Sequence, residues 1–427
     1  MEISIYPGRL SGEISAPPSK SAAHRLLLCA ALANGESRLR GVAFSQDIRA
    51  TIGAAQALGA NIAADEERGT VSVHGVGVPY LDRSAAPCTI DCRESGSTLR
   101  FLLPLFPALG KTATFTGKGR LPERPIGLLA DELIRHGAAF STADGLPCTV
   151  SGKLHPGRYL LPGNVSSQFF SGLLFALPLL GGDSEVVFTR PLESAGYVQM
   201  TLQALEKSGV QAVCTEEKLL IPGRQRFSPF EETIEGDFSN AAFWLCAAAL
   251  GSPLLCSGLS EGSLQPDRAV LPILERMGAK VYVESGRVSI TPQKLQGIEI
   301  DCAPIPDLFP VLAVTAAFAE GKTVFYNARR LRLKECDRLH AVADCLTRLG
   351  ARVEEEEERL VVFGGHPLSG GRVEGYNDHR IVMAMAIAAL CCEGPVTITG
   401  AQAVEKSYPD FFMQFERLQK RPLKRVD

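Results

Sequence analysis

Lys20 and Arg25 bracket a turn, Pro18-Ser19-Lys20-Ser21, that leads into the apolar segment Leu26-Leu27-Leu28. Arg100 follows a second turn of this kind, Glu94-Ser95-Gly96-Ser97, and His379 and Arg380 follow a third, Tyr376-Asn377-Asp378. A turn that opens a helix presents free N–H groups and a partial positive charge, so a nearby cation makes it an anion site. Two further segments concentrate charge: Gly117 to Pro125, with Lys118, Arg120, Glu123 and Arg124, and Leu333 to Leu339, with Lys334, Glu335, Asp337 and Arg338. Lys406 stands just before the last helical segment. Each cation alone reads as a surface residue. Placed at recurrent turns that pack around a common axis, they converge on a substrate with two or more phosphate or carboxylate groups, which arginine binds in bidentate fashion. Asp307 and Glu335 lie among these cations and are the acid and base candidates. The competing structural readings are a helix N-cap for Asp307 and an ion pair with a neighbouring Lys or Arg for Glu335.

The elements that must position these residues repeat. Besides the three turns above, Gly163-Asn164-Val165-Ser166 precedes Phe169-Phe170, Gly236-Asp237-Phe238-Ser239 precedes Ala242-Phe243-Trp244, and Ile305-Pro306-Asp307 precedes Val311-Leu312. Five glycines, Gly59, Gly137, Gly209, Gly278 and Gly350, each follow an amphipathic stretch and precede strand-like residues. Both marks recur about 70 residues apart, the signature of a repeated structural unit. Glycine at such places accepts the left-handed backbone that closes a helix. A sixth glycine would follow the helix over 410–420, where the chain ends. Each unit reads as a turn, a helix apolar all round and therefore buried, a strand, an amphipathic helix and two short strands. Strand examples are 71–74, 281–283 and 360–363. Six units in 427 residues could form one solenoid or two three-unit bodies; the length favours two domains, with a boundary near Thr233 to Gly236.

Composition narrows the partners. The chain is 45% hydrophobic, which excludes wholesale disorder. Its 44 basic and 47 acidic residues give no global field of the kind that coats nucleic acid or an acidic membrane. The longest apolar run, Ile381 to Cys392, is too short for a membrane span, and the N-terminus has no basic or apolar leader pattern, so a cytoplasmic location is expected. The twelve cysteines include no C-x-x-C, which argues against zinc and for reduced, packed thiols. No Walker A sequence occurs, and no G-x-G-x-x-G joins a strand to a helix. The run Glu354 to Glu358 reads as a solvated hairpin between strands, not a cation site.

The motifs together resemble the enolpyruvyl transferase family, and within it the branch that acts on shikimate 3-phosphate. The resemblance is carried by Pro18-Ser19-Lys20-Ser21 with Arg25, Gly96 with Arg100, Leu121-Pro122-Glu123-Arg124-Pro125, Ser166-Ser167-Gln168, Lys334-Glu335-Cys336-Asp337-Arg338 and Asp378-His379-Arg380. They run in family order from Lys20 to Lys406. The resemblance implies an α/β chain of two similar domains. Each is three βαβαββ units about a pseudo-threefold axis, an inside-out α/β barrel with buried helices inside and sheets outside. It implies residues 1–15 plus 235–427 as one domain and 16–234 as the other, with crossings near 14–19 and 226–236 and an active site in a cleft that closes on substrate.

The implied reaction joins the 5-hydroxyl of shikimate 3-phosphate to phosphoenolpyruvate through a tetrahedral intermediate and releases phosphate, without metal or organic cofactor. Ser21, Arg25, Ser166, Ser167, Gln168, Ser194, Tyr197, Asp307 and Lys334 would hold shikimate 3-phosphate. Lys20, Gly96, Arg124, Arg338, Arg380 and Lys406 would hold phosphoenolpyruvate, with Arg100 and His379 close by. Asp307 would be the base for the 5-hydroxyl, Glu335 the proton carrier at C3, and Lys20 an acid toward the phosphate. The implied partners are these two small molecules, with no nucleic acid or membrane, acting on a monomer. Gly96 implies sensitivity to glyphosate. The sequence departs from the family pattern at His24, where many relatives have Asn, at Phe101 in place of a common Pro, within Ser194-Ala195-Gly196-Tyr197, and at Arg330 in place of a frequent Asn. The rivals are the branch acting on UDP-N-acetylglucosamine and a non-catalytic anion-binding relative. The former usually carries a reactive cysteine near Lys118 to Arg120, and no cysteine lies between Cys92 and Cys148 here.

Overall fold

The computed structural model describes residues 1–77, 86–142 and 145–426. They divide into two compact units, one of residues 1–17 and 235–427 and the other of residues 18–234. Each unit has its own hydrophobic core.

The repeat is a βαβαββ unit. In 88–152, strand Cys88–Asp91 leads to helix Gly96–Leu102, strand Ala113–Thr116, helix Gly127–Arg135 and the strand pair Ala138–Phe140 and Cys148–Gly152. The first two strands pair in parallel, as a helical crossover requires, and the last strand inserts antiparallel between the second and the third. Among the described residues there are six such four-stranded sheets. The six helices that open the units are Lys20–Leu32, Gly96–Leu102, Ser167–Ala176, Phe238–Ala249, Phe309–Ala317 and His379–Cys391. Every residue of Phe238–Ala249 and of Phe309–Ala317 is buried, as their all-round apolar sequences require. In the unit of residues 18–234, what remains accessible on these helices lies in their first turns: Lys20, Ser21 and Ala22, then Ser97, then Gln168. The polar ends of otherwise buried helices are thus the parts left to meet a ligand.

The five glycines that follow the amphipathic helices all have positive φ, from +77° at Gly209 to +122° at Gly59. The sixth unit does not stop short, as the sequence suggested. Lys420 takes the left-handed conformation itself, with φ +56°, after helix Phe411–Gln419. Strand Lys424–Val426 then pairs with Glu2–Ile5, so the two ends of the chain complete that sheet. The crossing segments exchange strands in the same way. Gly12–Ser15 runs beside Leu254–Ser257, and Glu231–Thr233 runs beside Glu36–Arg40. Each strand therefore serves the unit whose helix lies far away in sequence. The glutamate run 354–358 does lie at a hairpin between Arg352–Glu355 and Leu360–Gly364.

Candidate active site

In residues 18–234 the sequence-selected groups gather at four helix N-termini and one loop. Ser19 caps the first helix by accepting from the Ala22 N–H at 3.3 Å. Lys20, in its first turn, donates to Asp47 Oδ2 at 2.9 Å. Arg25 is buried and, among the described residues, bound by neutral oxygens: Thr201 Oγ1 at 2.8 Å, the Ser21 carbonyl at 2.8 Å, the Tyr197 carbonyl at 2.9 Å and Ser171 Oγ at 3.4 Å. Burial pushes its pKa down to about 10, which leaves it charged at neutral pH. An arginine held this way, with no carboxylate among its described partners, retains its charge for an anion. The Arg25 guanidinium also stacks 5.2 Å from the centroid of the Phe101 ring, which explains how an aromatic residue is accommodated there.

Gly96 opens the second helix, capped by Ser95 Oγ, which accepts from the Thr98 N–H at 3.1 Å. A Cβ at Gly96 would lie 2.7 Å from Arg100 Nη1 and 2.8 Å from Arg124 Nη1. The missing side chain is thus the reason two guanidiniums can meet above this turn. Arg100 donates to Gln168 Oε1 and to the Pro125 carbonyl, both at 3.1 Å, and Gln168 Nε2 donates to Ser97 Oγ at 3.0 Å. Ser166 caps the third helix, and buried Ser167 follows it. Ser194 precedes the helix Ala195–Lys207 with a left-handed φ of +55°, a strained placement for a serine.

In the unit of residues 1–17 and 235–427, Asp307 is the centre. The helix after it begins with Leu308 as N-cap and no side-chain capping bond, so Asp307 is not a cap. Instead Oδ1 accepts from Arg338 Nη1 at 2.7 Å and Oδ2 from Arg380 Nη2 at 2.9 Å, with Lys334 Nζ 3.9 Å from Oδ1. Burial raises the Asp307 pKa, but Arg380, Lys334 and Arg338 outweigh it and hold the carboxyl far below the usual carboxylate range. Arg338 is itself gripped by three carboxylates, with Asp378 on Nε and Glu335 on Nη2, each at 2.7 Å. The ion pair suggested for Glu335 therefore exists, inside the cluster. Of five guanidinium N–H groups on Arg338, three are committed to these carboxylates. Burial pushes Lys334 down to about 8, and Arg338 and Arg330 push the same way against Asp307 and Glu335. Arg330 thus acts on the site through its charge.

Asp378 caps the helix His379–Cys391 and accepts from the Arg380 N–H at 2.8 Å. His379 is buried beside it. Arg380 also donates to Ser239 Oγ at 3.0 Å, and Lys406 Nζ donates to the Asn377 carbonyl at 2.5 Å. Sequence reasoning did not select Asp47, Asp378 or Ser239 as site residues. Asp378 stood inside the Asp-His-Arg segment and Ser239 inside a recurrent turn, so both had a signal; Asp47 had none beyond its place in a first helical turn.

The family model described as EPSP synthase (3-phosphoshikimate 1-carboxyvinyltransferase) matches residues 5–415. The chain belongs to the EPSP synthase family. A protein of Clostridium novyi named 3-phosphoshikimate 1-carboxyvinyltransferase is 43% identical over 425 residues, covering 97% of each chain. One of Clostridioides difficile with the same name is 42% identical over 423 residues, again covering 97% of each. The solved EPSP synthase of Acinetobacter baumannii superposes with a TM-score of 0.82 at 28% identity, over 99% of this chain and 100% of that one. The enolpyruvyl transferase NikO of Streptomyces tendae, at 21% identity and a TM-score of 0.80, shares the fold. The α/β architecture of six repeated units is thus that of EPSP synthases.

Proposed function

We propose that this EPSP synthase family member transfers the enolpyruvyl group of phosphoenolpyruvate to the 5-hydroxyl of shikimate 3-phosphate. The observation that carries the reading is the carboxylate pair Asp307 and Glu335, both held by Arg338 among Lys334 and Arg380. Asp307 stays ionised and accepts the hydroxyl proton as the 5-oxygen bonds to C2 of phosphoenolpyruvate. Glu335 takes up a proton from solvent and delivers it to C3, making a methyl group. In the second step Glu335 takes a C3 proton back, the C2–O bond to phosphate breaks, and Lys20 protonates the departing oxygen. Ser21, Arg25, Ser166, Ser167, Gln168, Ser194, Tyr197 and Lys334 hold shikimate 3-phosphate. Arg100, Arg124, Arg338, Arg380 and Lys406 hold phosphoenolpyruvate, the Gly96 turn leaves room for it, and His379 lies beside that set. Fixed cations aimed at developing negative charge lower the barrier without reorganising. The free, mostly buried thiols suit a cytoplasmic chain.

Phosphate release tests the reading. It should require both substrates, fall by about a thousandfold or more in Lys20→Ala, Asp307→Ala and Glu335→Ala, and be inhibited by glyphosate in competition with phosphoenolpyruvate. Release with UDP-N-acetylglucosamine as the acceptor would overturn it in favour of the other branch.

A further inference from the structure

Behind the Lys20 and Gly96 turns lies a buried polar chain that the reaction does not use. His24 Nδ1 is 2.7 Å from Thr51 Oγ1, which is 2.7 Å from Thr98 Oγ1, and Thr98 Oγ1 donates to Ser95 Oγ at 2.7 Å. None of the four residues is more than 1% exposed. A threonine hydroxyl has one hydrogen to give. Thr98 gives its hydrogen to Ser95, so it accepts from Thr51; Thr51 then accepts from His24. The imidazole is therefore the Nδ1–H tautomer. Burial, then the charges of Lys20 and Arg25, hold its pKa well below the ordinary value, so it is neutral. Its Nε2 is buried with no hydrogen-bond partner among the described residues. An unsatisfied buried nitrogen is costly, which gives the chain a reason beyond packing.

The chain connects two functional turns. His24 lies one helical turn after Lys20. Thr51 lies one turn after Asp47, the carboxylate that holds Lys20. Helix Gln46–Leu58 thus grips the first turn at two points, and through Thr98 and Ser95 it grips the turn that carries Gly96. We propose that His24, Thr51 and Thr98 are positioning residues that fix the spacing between the Lys20 turn and the Gly96–Arg100 turn and so set the affinity for phosphoenolpyruvate. The proposal rests on the reaction assigned above. A site of several convergent cations loses affinity when its supports loosen by a fraction of an ångström.

The test is steady-state kinetics on the full chain. Thr51→Val keeps the shape and removes the hydroxyl. It should raise KM for phosphoenolpyruvate by about five- to tenfold, with a smaller rise in KM for shikimate 3-phosphate, because Ser21 shares the Lys20 turn. Thr51→Ser should restore the parent value, and His24→Asn, which keeps a donor near the place of Nδ1, should stay close to it. An unchanged KM for phosphoenolpyruvate in Thr51→Val, or equal changes in both KM values with no rescue by Thr51→Ser, overturns the proposal. If Thr51→Val does not fold, Thr98→Val breaks the next link and is judged by the same comparison. A parent chain that releases no phosphate overturns the assigned reaction instead. Calorimetric binding of phosphoenolpyruvate to parent and Thr51→Val then decides the positioning claim, equal affinities overturning it.

Discussion

Lys334 shows how a residue's surroundings become a measurable property. Its half-buried ammonium lies 3.9 Å from Asp307, with Arg338 and Arg330 near enough to disfavour its charge, and its pKa is pushed down to about 8. In its proposed role as a ligand for shikimate 3-phosphate it must be protonated. Binding competence is therefore full well below pH 8 and is lost as the pH rises through that value. Since kcat/KM reports ionisations of the free enzyme, kcat/KM for shikimate 3-phosphate should fall above an apparent pKa near 8. Lys334→Arg should move that limb to higher pH, because a guanidinium stays charged; a limb unmoved by this substitution would assign it to another group. The cations themselves were legible in the sequence, because they sit at turns that recur. Their partners were less so. Arg338 was selected as a phosphoenolpyruvate ligand, yet it also binds Asp307, Glu335 and Asp378, three carboxylates distributed over 72 positions of chain, from 307 to 378.

At the scale of elements, local physics was readable and long-range pairing was not. Five cap glycines and the apolar helices were legible because a left-handed closure and an all-round apolar face each leave a local mark. Lys420 leaves none: it takes the same left-handed role without glycine's freedom. A non-glycine residue there costs roughly 1 kcal/mol. Lys420→Gly should therefore raise stability by about that amount, seen as a higher thermal midpoint, while a lower midpoint would show that the lysine side chain contributes more than its backbone strain removes. The strand exchanges were equally silent. Nothing in Gly12–Ser15 indicates that its partner is Leu254–Ser257, since parallel pairing is specified by tertiary packing and not by neighbours in sequence.

For the whole molecule, the balance of 44 basic and 47 acidic residues conceals how charge is distributed. Each compact unit carries its own set of cations, and the acid and base candidates Asp307 and Glu335 lie in the unit of residues 1–17 and 235–427. The reaction then turns on one chemical event, formation of a methyl group at C3 of phosphoenolpyruvate before phosphate leaves. Its most direct test is the reaction run in deuterium oxide, with the product read by mass spectrometry and proton magnetic resonance. Addition followed by elimination places solvent deuterium in the vinyl group of the enolpyruvyl product, and Glu335→Gln, with no proton to carry, loses both the product and the label. Product formed at the full rate with an unlabelled vinyl group would contradict the account.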